Sequence, residues 1–272
     1  MTERPLTLMA VHAHPDDEAS TTGGVLAKYS AEGIRTVLVT CTNGELGDTP
    51  GGKPGDETHD TTAAVALRLA ELEESCRVLG VSHLELLGYH DSGMMGWETN
   101  DASGSFWSMP VEEAAAPLVE LLRRYEPDVV VTYDDFGFYG HPDHIQAHRI
   151  TMSALKTTGS TAKVYFPTFR RSDLPRFRKT LEEAGLELPD IDEGSFGVAD
   201  EEVGATIDCR EHAPAKLAAL AAHVSQQENI FFLRLPMERF VEGFGTEEFV
   251  RERPSGGPVE TDLFAGLRGS SG

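Results

Sequence analysis

Positive charge is scarce in this chain of 272 residues. Lys and Arg together number 23, against 45 Asp and Glu, so the formal net charge is −22. Nucleic acids and anionic membranes bind basic surfaces, and the acidic balance therefore argues against both as partners. A salt-adapted host, or a surface suited to solubility, explains the same excess of acid without any cationic ligand.

Cysteine is scarce as well. Cys41, Cys76 and Cys209 are far apart in the sequence and form no CxxC pair. This pattern argues against a disulfide framework and against a thiolate zinc site, and it is typical of a reducing compartment. We therefore expect a cytoplasmic protein without disulfides.

Long apolar runs and the common nucleotide-binding motifs are missing. The apolar stretch 6–11 is soon broken by His12 and His14, which predicts neither a signal peptide nor a membrane-spanning helix. No GxGxxG follows this stretch, and GxxxxGK(S/T) occurs nowhere in the chain. A nucleotide-binding module without hydrolytic chemistry is therefore disfavoured.

The sequence does contain a regular alternation of short apolar strands with amphipathic helices. This alternation predicts an α/β fold with a doubly wound, mostly parallel sheet of the Rossmann-like type. Strands are predicted at 6–11, 36–41, 83–87, 128–133 and 163–166, and helices at 21–32, 61–79, 110–125 and from about 142 onward.

The chain becomes less regular after Phe169, where helices are predicted at 174–185 and 214–224 and a strand at 206–209. We expect a single domain over 1–253, in which the part from about 170 completes the ligand cleft. Residues 254–272 are rich in Gly, Ser and Pro, and they are predicted to form a flexible tail.

Unusual polar residues follow the predicted strands, at 12–18, 43–48, 90–95 and 134–144. In open α/β sheets the ligand crevice lies outside the carboxyl ends of the strands, so these four segments are expected to meet there. The functional site is therefore predicted at this edge of the sheet.

The first of these segments contains the run His14-Pro15-Asp16-Asp17-Glu18. The proline stiffens the turn, which then presents one imidazole and three carboxylates at the end of a strand. Histidine with aspartate suits zinc or another divalent ion, and a spare carboxylate beside them can accept a proton from water. The alternative is a helix N-cap whose acidic residues favour the helix dipole.

The second motif, Gly140-His141-Pro142-Asp143-His144, follows the strand predicted at 128–133. A catalytic zinc site needs three protein ligands and an open position, and a second loop that supplies a histidine completes that count. Spacing does not settle which histidine binds. His144 and His148 are four residues apart and could face one ion, His141 could be a ligand or a proton donor, and capping or surface histidines remain the alternative.

Taken together, the two motifs resemble the signature pair of the zinc-dependent LmbE/PIG-L family of N-deacetylases, which remove an acyl group from an aminosugar nitrogen. The likeness extends from about Leu6 to about Gln227 and includes segments 40–45, 68–72, 89–94 and 216–226. Within the family the chain is most similar to the mycothiol branch. The glycine-rich loop 47–60 departs from that branch, and such loops set substrate choice.

The resemblance implies a metal site and a catalytic base. The family's metal ligands correspond to His14, Asp17 and His144, and its general base to Asp16. The cofactor implied is one Zn²⁺ per chain, with Fe²⁺ or Co²⁺ as alternatives.

The resemblance also implies residues around the reacting amide. His141 is expected to face the oxyanion and to protonate the departing amine, and Asp143 to orient that histidine and keep it charged. Tyr139 corresponds to a mobile tyrosine that assists at the oxyanion, with a rim aromatic as the alternative.

Substrate contacts are implied at three further positions. Arg68 and Asp91 match residues that bind the inositol and the sugar hydroxyls, and Glu45 is expected at the rim of the pocket. The alternative for Arg68 is an exposed helix charge paired with Glu71. His223 is expected to be structural.

The function expected from the sequence is therefore a zinc-dependent amidohydrolase that removes an acyl group, in the first instance acetyl, from an aminosugar conjugate such as N-acetylglucosaminyl-inositol. Three alternatives stay open: a mycothiol S-conjugate amidase, a secondary-metabolite glycoside deacetylase and a metal-dependent hydratase. The partner expected is a small-molecule aminosugar, with no nucleic acid and no membrane, and a homo-oligomer is left open.

Overall fold

A seven-stranded mixed sheet forms the centre of the molecule. The computed structural model describes residues 4–183, 185–186, 197–227, 230–252 and 258–268. The order across the sheet is β3-β2-β1-β4-β5-β7-β6. The strands are β1 (Thr7–His12), β2 (Arg35–Thr42), β3 (His83–Tyr89), β4 (Val129–Val131), β5 (Lys163–Thr168), β6 (Ala205–Asp208) and β7 (Thr246–Arg251).

The first five strands pair in parallel, whereas β7 runs antiparallel to both β5 and β6. The predicted mostly parallel α/β sheet is thus confirmed. The helices are α1 (Asp17–Ala31), α2 (Thr61–Leu79), α3 (Val111–Tyr125), α4 (Gly137–Gly140), α5 (Pro142–Thr158), α6 (Leu174–Glu183), α7 (Ala213–Ala222) and α8 (Met237–Phe244). Among the described residues, no helix combines the length and the apolar character needed to cross a bilayer.

Helices cover both faces of the sheet, because its central strands present apolar side chains to both faces. In β1, Leu8 and Ala10 point into one core, and Met9 and Val11 point into the other. Successive side chains of a strand alternate between faces, so a strand buried on both sides needs this unbroken apolar run. α7 packs with α1 and α2, whereas α3 packs with α5.

The bounds of α2 coincide with those predicted from the sequence. Asp60 caps its first turn by accepting the main-chain N–H groups of Thr62 and Ala63. Gly80 ends the helix with a φ of 71°, a conformation that glycine adopts without strain. Both ends of α2 therefore have capping residues that the sequence itself indicates.

The C-terminal part differs from the expectation in two ways. Helix α8 and strand β7 were not predicted, and β7 inserts between β5 and β6. Residues 258–268, expected to belong to a flexible tail, instead pack on the core. Leu263 and Phe264 are fully buried, and the main-chain N–H of Leu263 donates to the Tyr29 hydroxyl over 2.8 Å. Residues 253–257 and 269–272 of that predicted tail lie outside the described residues.

Candidate metal-dependent active site

The two histidine motifs meet at the carboxyl ends of the neighbouring strands β1 and β4. The ring centroids of His14 and His141 lie 4.6 Å apart, and those of His14 and His144 lie 5.3 Å apart. One potential ligand nitrogen from each of these three rings lies within 4.8 Å of the others. The parallel pairing of the strands therefore brings together side chains about 130 residues apart in the sequence, as the sequence analysis expected.

Asp17 places a carboxylate oxygen beside two of these rings. Its Oδ2 lies 3.3 Å from His14 Nδ1 and 3.5 Å from His144 Nε2. All three residues are buried. The buried His144 Nε2 finds no hydrogen-bond partner among the described residues, so a lone pair is left for a cation. Two imidazoles and a carboxylate are the donor set of many catalytic zinc sites, and the residues present fit a divalent metal ion.

Tyr133 contacts both Asp17 and His144 and fixes their positions. Its hydroxyl donates to Asp17 Oδ2 over 2.6 Å and accepts the main-chain N–H of Ala13 over 3.0 Å. Its ring is stacked on that of His144, with centroids 4.1 Å apart. Tyr133 is not among the site residues predicted from the sequence, although its position at the end of the strand predicted at 128–133 is a usable signal.

The carboxylate of Asp143 contacts a different histidine from the one expected. Its Oδ2 lies 3.2 Å from His14 Nε2 and accepts the main-chain N–H of Ser92 over 2.9 Å. The contact with His141 is made by the backbone, since the Asp143 N–H donates to His141 Nδ1 over 3.1 Å. His141 is the N-cap of α5, and this role turns its Nδ1 towards the main chain.

The surroundings of His141 do not favour the protonated ring expected from the resemblance. Burial lowers the pKa of His141 to about 2, and the neighbouring His14 and His144 act in the same direction. This environment favours the neutral ring. Since Nδ1 accepts a hydrogen bond, the proton of the neutral ring is carried by Nε2.

Asp16, the predicted base, has an unusual backbone. It is the N-cap of α1, with φ 115° and ψ −25°. A non-glycine residue in such a region costs about 1–3 kcal/mol and persists only where its surroundings hold it. Burial raises the pKa of Asp16 to about 6, although Arg68 acts in the opposite direction. A carboxylate that titrates near neutrality suits a general base.

Arg68 is buried behind the first motif and does not extend into solvent. It donates from Nη2 to Asp16 Oδ2 over 3.0 Å and from Nη1 to the Gly44 carbonyl over 2.7 Å. Glu71, its alternative partner, instead accepts from the backbone and hydroxyl of Ser225. The alternative of an exposed helix charge is therefore wrong.

Two further predicted residues lie at the same edge of the sheet. Asp91 is buried after β3, with Oδ1 at 3.7 Å from His14 Nε2. Glu45 is buried after β2 and accepts from His90 Nδ1 over 2.7 Å. In the part of the chain that the structure covers, the other oxygen of Glu45 meets no hydrogen-bond donor. A free acceptor of this kind suits a hydroxyl-rich ligand.

Tyr139 lies at the mouth of the cluster. Its side chain is half exposed, and its ring centroid lies 5.0 Å from that of His144. The preceding Phe138 has a φ of 66°, so the short helix α4 is kinked where it presents the tyrosine. A cavity of about 1500 Å³ adjoins Tyr139 and is walled by aromatic side chains such as Phe169 and Phe177. The clustered metal donors, rather than this neighbouring cavity, locate the chemistry.

Comparison with known proteins agrees with this geometry. Residues 9–155 match the family described as PIG-L, GlcNAc-PI de-N-acetylase. A protein of Thermomonospora curvata named 1D-myo-inositol 2-acetamido-2-deoxy-alpha-D-glucopyranoside deacetylase is 39% identical, over an alignment of 296 positions that covers 99% of each chain. A protein of Geodermatophilus obscurus with the same name is 41% identical, over 96% of this chain and 98% of its own.

Solved structures share the fold. The N,N'-diacetylchitobiose deacetylase of Pyrococcus horikoshii is 24% identical, with a TM-score of 0.59 over 97% of this chain and 87% of its own. The 4-carboxy-2-hydroxymuconate hydratase of Pseudomonas putida is 16% identical and gives the same TM-score, over 92% and 97% of the two chains. The fold by itself therefore does not separate a deacetylase from a hydratase.

Proposed function

The chain belongs to the PIG-L family of GlcNAc-PI de-N-acetylases, and we propose that it removes the acetyl group from the nitrogen of an N-acetylglucosaminyl-inositol. The relatives that bear this activity in their names align over nearly the whole chain. The observation that carries the proposal is the buried cluster of His14, Asp17 and His144, with the strained Asp16 beside it.

We propose that His14, Asp17 and His144 hold one divalent cation, Zn²⁺ in the first instance, with Fe²⁺ or Co²⁺ as alternatives. The unpartnered Nε2 of His144 supports this assignment. When bound, such an ion polarises the acyl oxygen and makes water more acidic. Asp143 stabilises the ligand set by accepting from His14 Nε2, as carboxylates behind metal-binding histidines commonly do.

Asp16 acts as the general base in this proposal. Its carboxylate accepts a proton from the attacking water, and Arg68 keeps one of its oxygens in place. The proton held by Asp16 is then available to the amine nitrogen as the C–N bond breaks, so that amine and acetate leave. A pKa of about 6 allows the carboxylate both to accept and to return this proton near neutrality.

His141 stabilises the oxyanion as a neutral hydrogen-bond donor. Its Nδ1 accepts from the Asp143 backbone, which leaves Nε2–H as the ring's donor. A fixed donor aimed at a developing negative charge stabilises a transition state without needing a charge of its own. The exposed Tyr139 at the mouth of the site is placed to add a second donor.

We assign the sugar and the inositol to Glu45 and Asp91, whereas Arg68 is buried and its Nη groups are taken up by Asp16 and the main chain. Glu45 and Asp91 lie at the edge of the sheet where the metal-binding side chains converge, and Glu45 Oε2 accepts nothing from any described residue. We also propose a cytoplasmic location. Cys41, Cys76 and Cys209 are buried free thiols, as is usual in a reducing compartment.

Release of primary amine by metal-loaded protein tests the function. The substrates compared are N-acetylglucosaminyl-inositol, N-acetylglucosamine, diacetylchitobiose and a mycothiol S-conjugate, with Asp16→Ala as the control. Release from the first substrate that the control abolishes would support the proposal, and preferential release from the S-conjugate would favour an amidase. If protein that binds its metal releases no amine from any of them, the deacetylase assignment fails.

A further inference from the structure

Asp16 has a backbone conformation that residues other than glycine rarely adopt. Among the described residues other than glycine, positive φ values occur at Asp16, Glu126 and Phe138. At Asp16, φ is 115°, a left-handed conformation that residues with a side chain rarely adopt. A residue held in such a conformation requires specific contacts that fix it. The contacts around its peptide groups therefore indicate what keeps the proposed base in position.

One side chain holds the Asp16 amide. The main-chain N–H donates to Glu18 Oε2 over 2.9 Å. The carbonyl of Asp16 is held differently, because it accepts the N–H groups of Ala19 and Ser20 in the first turn of α1. The helix therefore fixes only the carbonyl side, and the N–H side depends on Glu18.

Glu18 is fixed in turn by two side chains from distant parts of the chain. Its Oε1 accepts from His223 Nε2 over 2.8 Å and from the Ser75 hydroxyl over 2.5 Å. All three side chains have no exposed surface. Ser75 comes from α2, and His223 directly follows α7. The Glu18 carboxylate thus joins α1 to α2 and to the end of α7. Its second oxygen, Oε2, accepts the Asp16 N–H.

We propose that Glu18, His223 and Ser75 form a clamp that keeps the backbone of Asp16 in its left-handed conformation. The three are positioning residues, since they act through Asp16 and do not reach the substrate. The clamp keeps the Asp16 carboxylate beside Arg68 and the proposed metal ligands. The inference rests on the proposed function only in taking Asp16 as the base.

A second buried glutamate, which lies on β7 and contacts the same helix, provides a matched control. Glu247 is also buried, and its carboxylate accepts the main-chain N–H groups of Gly24 and Val25 over 2.7 and 2.9 Å. It pairs with Lys216 over 2.7 Å, as Glu18 pairs with His223. Glu247 therefore has the same kind of environment, two turns away from Asp16.

The test compares Glu18→Gln with Glu247→Gln. An amide has one acceptor oxygen, so glutamine at position 18 cannot accept from both the Asp16 amide and the His223–Ser75 pair as the carboxylate does. We expect Glu18→Gln to lower kcat by about 10- to 100-fold, because a small misplacement of a catalytic group has effects of that size. KM and bound metal should be unchanged, and hydrogen exchange at the Asp16 amide should accelerate. Glu247→Gln should lower stability but leave both kcat and the exchange of the Asp16 amide unchanged.

Further variants separate positioning from general damage. His223→Gln retains a side-chain N–H donor and should keep most of the activity, whereas His223→Leu should resemble Glu18→Gln. If these unfold, Ser75→Ala removes a single bond and should give a smaller effect in the same direction. In an Asp16→Asn background, Glu18→Gln should not reduce the residual rate further, since interacting residues are not additive.

Two results would overturn the clamp. The first is an unchanged kcat and an unchanged Asp16 amide exchange in Glu18→Gln, and the second is an equal loss with and without Asp16→Asn. Failure of the proposed function looks different, because the wild-type protein would then release no amine at all. In that case, the exchange rate of the Asp16 amide in wild type and in Glu18→Gln would still test the clamp.

Discussion

The Tyr133 hydroxyl and Asp17 Oδ2 are joined by a hydrogen bond of 2.6 Å, and that oxygen is the one that faces both His14 and His144. The bond connects the segment that follows β4 to the first residue of α1. Since the Tyr133 ring also stacks on His144, a single residue orients two of the three proposed metal ligands.

Replacing Tyr133 by phenylalanine isolates the hydroxyl from the ring. We expect Tyr133→Phe to weaken metal affinity by about 10- to 100-fold, the usual effect of losing a partner behind a ligand. Competition with a chelator measures this. Tyr29→Phe removes another buried hydroxyl, one bonded to Asp262, and should leave metal affinity unchanged. Equal affinities in wild type and Tyr133→Phe would contradict the orienting role.

Removal of the metal should reduce both activity and stability. A ligand that binds only the folded state at about 1,000 times its Kd stabilises that state by about 4 kcal/mol. Thermal unfolding of chelator-treated protein, with and without added Zn²⁺, tests this. His144→Ala should abolish the metal-dependent rise in Tm, whereas His148→Ala should retain it. Full amine release by metal-free protein would refute the metal assignment.

Arg68 should not tolerate lysine, although the charge is kept. Its guanidinium donates to Asp16, to the Gly44 carbonyl and to the Pro15 carbonyl, and an ammonium group cannot reproduce that fork. We expect Arg68→Lys to lower kcat/KM by about 100-fold. Arg77→Lys, on the exposed side of the same helix, is the control and should alter kcat/KM by less than about twofold. Similar kinetics for the two variants would exclude a role for the fork.

The C-terminal segment 258–268 should loosen in acid. Burial alone would raise the pKa of Asp262, but contacts with Arg268, the Phe264 N–H and the Tyr29 hydroxyl outweigh it and lower the pKa from 3.8. A carboxylate with a lowered folded pKa stabilises the fold above its unfolded pKa, and that stability is lost as the pH falls through the folded value. Thermal unfolding from pH 6 to pH 3 should therefore be less acid-sensitive in Asp262→Asn than in wild type. Parallel curves would contradict the assignment.

The sequence predicted the sheet and the meeting of the two motifs because both depend on local patterns. Continuous apolar strands and capped helices identify the parallel core, and parallel strands bring their carboxyl ends to one edge. Strand β7 escaped prediction because its inward side chains at Glu247 and Phe249 include a buried charge. That charge is balanced by Lys216, and the pairing is visible only in three dimensions.

The finer assignments of the site depended on long-range geometry. The Asp143 carboxylate contacts His14 across 129 residues of sequence rather than its neighbour His141. The left-handed conformation of Asp16 also has no local sequence signature. Glu18, which accepts the Asp16 N–H, is itself held by His223, and His223 lies 205 residues further along the chain. Residue types can suggest a metal site, whereas the contacts behind it require the fold.

Strand β7 also bears on the order in which the protein is completed during synthesis. Glu247 holds the amides of Gly24 and Val25, so a helix near the start of the chain is secured by a strand near its end. β6 pairs with β7 within the described sheet. Synthesis runs from the N-terminus, so a nascent chain that has just passed His144 carries all three proposed ligands, but neither the strand that secures α1 nor His223 has yet been made. The alignment of Asp16 therefore has to wait for the C-terminal part of the chain.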